Sequence, residues 1–178
     1  MSENNDVFEK AKDEMRLPER ILAELPGFRG YKEKELRRES DKLIRNDLYG
    51  RLLKARSDLK EVFEQLSQHR RLEVLTDMDM LVTKYDRVAE KINHASYGYA
   101  GFFNVVKVDE AKLDKMIAFD TQLITQVQAI VDEASAFKKD TSNNVYENAK
   151  GHIQKTNDTL ETLEDTFSQR GEIILGVK

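Results

Sequence analysis

Apolar residues recur along most of this chain at intervals of three and four, the rhythm of helices that bury one stripe. Leu48, Leu52, Ala55, Leu59, Val62 and Leu66 step by four, three, four, three, four. Upstream, Ile44, Leu48 and Leu52 make two successive steps of four beside Gly50, a stutter that locally unwinds a heptad seam. This pattern predicts a first long helix from Lys32 to about Leu66. The seam fails over Ser67-Gln68-His69-Arg70-Arg71, and the run of polar residues there predicts a turn. The alternative is one continuous helix to Tyr97, about 100 Å long at about 1.5 Å per residue.

Leu75, Met78, Val82, Tyr85, Ala89, Ile92 and Ser96 alternate in the same way and predict a second helix from about Leu72 to Tyr97. A third begins after Val108, with Asp109 as its N-cap. Its seam is Leu113, Met116, Asp120, Leu123, Val127, Ile130, Ala134 and Phe137, widened by Ile117, Ile124 and Val131. Asp140-Thr141-Ser142-Asn143-Asn144 supplies turn and capping residues. A fourth helix carries Tyr146, Ala149, Ile153, Thr156, Leu160, Leu163 and Phe167, with Gly171 as its predicted end. The expected fold is all-α: one antiparallel bundle of three to four long helices with coiled-coil-like seams.

The flanks read differently. Residues 1–16 form a charged arm, and Leu17 to Leu22 starts a short helix that Pro26 and Gly27 end. The domain is expected over residues 17–170. The tail, residues 171–178, is apolar and β-branched and reads as an extended segment packing on the bundle end. Ile173-Ile174-Leu175 and Asn104 to Val108 could pair there as a short two-stranded patch.

Two glycine–aromatic strings interrupt the helical pattern: Leu25-Pro26-Gly27-Phe28-Arg29-Gly30-Tyr31 and Tyr97-Gly98-Tyr99-Ala100-Gly101-Phe102-Phe103. If short connections make successive helices antiparallel neighbours, both strings meet at one end of the bundle. Phe28, Tyr31, Tyr97, Tyr99, Phe102 and Phe103 are therefore the candidate partner surface, since aromatics in loops make good anchors. The competing reading is that they plug the bundle end.

Asp120 stands at a seam position, where a carboxylate is costly unless paired. An ion pair, or a hydrogen bond from Tyr85, would let it set the bundle register. Asp79 and Asp86 flank the second helix's seam seven residues apart, with Asn93 seven further on, and could face Asp120.

Composition narrows the function. The chain has 178 residues, of which 35% are charged, with net charge −4 and no cysteine. Disulfides, thiolate metal sites and a cysteine nucleophile are excluded. The charge balance gives no footprint for specific nucleic-acid binding. Residues 29–60 hold 11 basic and 6 acidic residues, whereas residues 108–170 hold 7 and 12. The first helix is thus expected to complement the later ones, or to offer a basic face to an anionic partner. Polar residues open the chain, which argues against a signal peptide, and the longest uncharged run, Ile92 to Val106, is too short and polar to span a bilayer. These features suggest a cytoplasmic location.

Enzyme signatures are missing. The residues three before His69, His94 and His152 are Leu66, Lys91 and Ala149, so no Glu-x-x-His di-metal pattern exists. No phosphate-binding loop or nucleophile elbow is present. The sequence therefore predicts no catalytic residue, no cofactor and no metal ligand.

The two glycine–aromatic strings, the first extended through Lys32-Glu33-Lys34-Glu35, resemble an uncharacterised prokaryotic family of helical-bundle proteins across about residues 25–125. That resemblance implies no activity. In outline alone, a charged helical hairpin behind an amphipathic start is similar to the phage-shock-protein class of membrane-surface proteins. The leading expectation is a non-catalytic protein–protein interaction or scaffold module, with a homodimer possible. The alternatives are a peripheral membrane protein using the stripe Phe8, Ala11, Met15, Leu22 and Leu25, and a carboxylate-based metal or enzymatic bundle using Asp120 with Asp79 or Asp86. Pro18 and the acid surplus of residues 7–25 weigh against the membrane surface.

Overall fold

The structure is a computed structural model that describes residues 37–96 and 109–176. Four helices make it up: α1 (Arg37–Gln68), α2 (Leu72–Asn93), α3 (Glu110–Ser142) and α4 (Ala149–Leu175). No strand occurs among the described residues. The chain is an all-helical bundle.

Each helix packs on two others: α1 on α2 and α3, and α4 on α3 and α2. Side-chain pairs give the directions. Arg56 of α1 meets Asp86 of α2, and Arg45 meets the backbone of Ile92 and Asn93, so α1 and α2 are antiparallel. Gln126 of α3 meets Thr166 of α4, and Glu133 meets His152, so these two are antiparallel as well. By contrast, Lys138 of α3 meets Asp58 and Glu61 of α1, while Arg51 meets Gln128. Lys84 and Lys91 of α2 meet Glu161 and Ser168 of α4. The sides α1/α3 and α2/α4 are therefore parallel.

Two helical hairpins thus lie side by side, and α2 stands diagonal to α3. Short connections do make α1–α2 and α3–α4 antiparallel neighbours. Residues 97–108, in contrast, join diagonal helix ends. The sequence expectation of antiparallel neighbours throughout is corrected here, because hydrophobic stripes alone do not distinguish the two arrangements and the charged edges do.

One end of the bundle, the base, gathers the N-termini of α1 and α3 and the C-termini of α2 and α4. The other end, the tip, carries both hairpin turns. The turn expected over residues 67–71 is present, and the chain does not continue as one helix. With no glycine available, Arg70 takes the left-handed conformation (φ 54°), and Asn144 does the same in the second turn (φ 59°). Arg71 stacks its guanidinium over the Tyr146 ring at 4.7 Å, and the His69 ring lies 5.1 Å from the same ring. The two turns therefore close on each other.

The core runs the length of the bundle, from Ile44 to Leu66, Val74 to Ile92, Met116 to Phe137 and Ala149 to Ile174. In α2 the interior stripe is Val74, Met78, Leu81, Tyr85, Val88 and Ile92, with Leu75 and Val82 half-buried beside it. It is rotated by about one residue from the expected seam because α2 packs against both α1 and α4.

Asp109 caps α3, its carboxylate accepting from the Ala111 N–H. Helix α2 ends at Asn93 rather than Tyr97. Helix α4 does not stop at Gly171: it continues to Leu175, and Gly176 closes it in the left-handed conformation (φ 77°). The steps Leu163, Phe167, Arg170, Ile174 keep the three–four rhythm through Gly171, and Ile174 is fully buried. Helical packing of this face overrides the β-branched composition. An extended tail, and its pairing as a strand, is thereby corrected for residues 171–175; its proposed partner, Asn104 to Val108, lies outside the described residues, as do Val177 and Lys178.

Candidate functional site

The most unusual chemistry of the described residues is a buried ionic cluster near the base. Asp41 sits one turn into α1, at the seam position preceding Ile44. Asp120 occupies the equivalent position on the parallel helix α3. Arg170 enters between them from α4, its Nε donating to Asp120 Oδ1 at 2.6 Å and its Nη1 donating to Asp41 Oδ1 at 2.7 Å. Arg170 and Asp120 are 0% exposed and Asp41 is 3% exposed. Arg170 and Asp120 also hold interactions beyond these two.

The second oxygen of Asp41 accepts from Arg45 Nε at 3.0 Å. Arg45 Nη1 then reaches the Asn93 carbonyl at 3.1 Å and the Ile92 carbonyl at 3.5 Å. These lie at the end of α2, where helix carbonyls lack partners and a cation is favourable. Two arginines and two aspartates therefore balance in charge and touch all four helices at one level. Isolated, any of these charges would be costly to bury; together they fix which residues meet.

This arrangement accounts for Asp120 but not through the partners considered from the sequence. Tyr85 does not bond it: its hydroxyl donates to the Leu52 carbonyl at 2.7 Å. Burial pushes the Tyr85 phenol well above its ordinary pKa, so it stays a neutral donor. Nor does the column Asp79, Asp86, Asn93 face Asp120. Asp79 is exposed. Asp86 lies at the edge of the α1/α2 interface, held by both arms of the Arg56 guanidinium at 2.6 and 2.7 Å. Arg170 and Asp41 escaped the sequence reading. The signal was available in the seam rhythm, which places Arg170 between Phe167 and Ile174 and Asp41 before Ile44.

A second polar cluster lies towards the tip. His152 of α4 faces Glu133 Oε1 through Nδ1 at 2.6 Å and Asp140 Oδ2 through Nε2 at 3.1 Å, and its ring stacks on Phe137 with centroids 4.7 Å apart. Lys155 pairs with the other oxygen of Glu133. Burial pushes the Glu133 carboxyl up, but the hydrogen bonds from Lys155 and His152 outweigh it and hold the group below its ordinary value. Among the described residues no group of three or more acidic or histidine side chains is arranged to hold a metal ion.

The surface charges sort by helix edge. On the α2/α4 edge, Arg87 grips Glu164 with two bonds of 2.6 and 2.7 Å, Lys91 adds a third at 3.1 Å, and Lys84 reaches Glu161 at 2.6 Å. The Arg87 guanidinium, with Lys91, holds the Glu164 carboxyl down to about 2. On the α1/α3 edge the signs reverse, with Lys138 between Asp58 and Glu61. The acid surplus of the later helices is thus met partly by α2. Arg45, Arg51 and Lys60 of α1 pair within their own helix, which leaves little of the expected α1-to-later-helix complementarity.

Phe28, Tyr31, Tyr97, Tyr99, Phe102 and Phe103 lie outside the described residues, as do the charged arm, the short helix and the stripe from Phe8 to Leu25. No described helix is long and apolar enough to cross a membrane. Comparison with known proteins gives no match: no family model, no curated protein and no solved structure is similar to this chain. The resemblance of the glycine–aromatic strings to a helical family therefore finds no counterpart in a matching family model.

Proposed function

We propose that the chain is a non-catalytic protein–protein interaction or scaffold module that presents its two glycine–aromatic strings from the base. The observation that carries this reading is the Asp41–Arg170–Asp120–Arg45 cluster. It ties together all four helices near the helix ends that adjoin the strings in the chain. A fixed platform lowers the entropic cost of ordering aromatic anchors on binding. The described polar clusters are mutually satisfied ion pairs, which fits a structural role for them.

The test is a pull-down from native lysate comparing wild type with a folded Phe102→Ser/Phe103→Ser variant. The reading expects a partner captured by wild type alone. Equal capture by both moves the contact away from the second string. No specific capture at all favours a membrane surface, and flotation with anionic liposomes then decides.

A further inference from the structure

The edges of the bundle are closed by charge with one exception. The α2/α4 and α1/α3 edges carry interhelical ion pairs, and the tip half of the α3/α4 edge is closed by His152, Glu133 and Lys155. Towards the base, the α3/α4 edge instead opens into a groove of about 790 Å³. Phe119 and Ile173, both half-buried, form its apolar centre. Gln122 and Gln169 stand at its inner end, and Lys112 and Lys115 at its outer end.

These two lysines, three apart on α3, are exposed, and neither ammonium has a hydrogen-bond or ion-pair partner among the described residues. The carboxylates that share the groove are engaged elsewhere: Asp109 caps α3, and Glu172 has a partner of its own. The uncommitted charge of the groove is therefore positive. From Asp109 to Gln122 the trough runs about 20 Å at about 1.5 Å per residue, the length of a helix of roughly 14 residues.

We propose that this groove receives an acidic amphipathic helix of a partner protein. Its apolar face, with anchors at i, i+3 or i+4 and i+7, would lie over Phe119 and Ile173, and its flanking carboxylates would meet Lys112 and Lys115. A trough between two helix surfaces suits a third helix packed ridge into groove. The two free ammonium groups select its charge and steer its approach. This site is separate from the aromatic strings, although the groove begins at Asp109, where the second string's connection ends.

The test uses the full chain and two labelled synthetic peptides of roughly 14 residues. Both carry leucines at i, i+3, i+4 and i+7; glutamates flank them in one and lysines in the other. Fluorescence anisotropy is expected to show saturable binding of the glutamate peptide alone. Lys112→Glu/Lys115→Glu, at exposed positions and with an unchanged melting curve, is expected to weaken it about tenfold or more and to gain the lysine peptide. The Phe102→Ser/Phe103→Ser variant is expected to bind as wild type, which separates this site from the strings. Absence of saturable binding, equal binding of the two peptides, or an unaltered glutamate-peptide affinity in the lysine variant overturns the proposal. Loss of binding in the phenylalanine variant overturns it too.

Discussion

Arg170 Nε donates to Asp120 Oδ1 across 2.6 Å, fifty residues apart in sequence, with neither side chain exposed to solvent. A guanidinium in that position is stable only while its carboxylates remain, and the carboxylates only while it remains. This reciprocity makes the base of the bundle specific in a way that leucine packing alone would not.

Arg170→Met is therefore expected to destabilise the protein by about 3–5 kcal/mol, because Asp120 and Asp41 lose a buried partner. The combined variant Asp41→Leu/Asp120→Leu/Arg170→Met is expected to recover most of that loss, since apolar residues of similar volume can replace a buried ionic set. Urea unfolding followed by circular dichroism measures both. A single-variant loss under about 1 kcal/mol would show the cluster to be energetically idle.

Tyr85→Phe removes the hydroxyl that donates to the Leu52 carbonyl. We expect a loss of about 1 kcal/mol, with the ring's packing kept. The same unfolding assay reports it, and no change would mean that the bond contributes nothing net.

Two backbone positions offer stabilisation. A Cβ at Gly50 would meet nothing within 4 Å, and the residue is exposed inside α1. Gly50→Ala is expected to raise stability by about 0.5–1 kcal/mol. Arg70 is left-handed and exposed in the first turn, so Arg70→Gly relieves backbone strain and is expected to be neutral to stabilising by up to about 1 kcal/mol. Thermal melts distinguish these gains from the loss that each would cause if its local structure were different.

Acid should weaken the bundle through depressed carboxylates. Glu164 is held down to about 2 against an ordinary 4.5. As pH falls below 4.5 the unfolded chain takes up a proton there before the folded protein does. The stabilisation is full above 4.5, declines between 4.5 and 2, and is gone below both. Glu133 is shifted in the same direction and adds to the decline. Urea midpoints measured from pH 6 to pH 2 are expected to fall less steeply in Glu164→Gln than in wild type. Parallel slopes would remove Glu164 from the account.

The sequence by itself determined the helices. The three–four rhythm of Leu48 to Leu66 and of Leu113 to Phe137 is a local property, written into 3.6-residue periodicity, and the failure of that rhythm at Ser67 to Arg71 located the first turn. Asp109 announced its own cap for the same local reason. The oddity of Asp120 was also legible, because a carboxylate on an apolar stripe needs no structure to be conspicuous. Its partner was not: Arg170 lies fifty residues away, beyond a glycine that reads as a helix stop until Ile174 is seen to bury itself against the other helices. Only the tertiary structure decided that the two hairpins lie side by side with α2 diagonal to α3. Hydrophobic stripes permit either arrangement, and it is the pairing of Lys138 with Asp58 and Glu61, and of Arg87 with Glu164, that separates them. Such pairings depend on which surfaces meet, and that is a property of the packed bundle rather than of any segment of the chain.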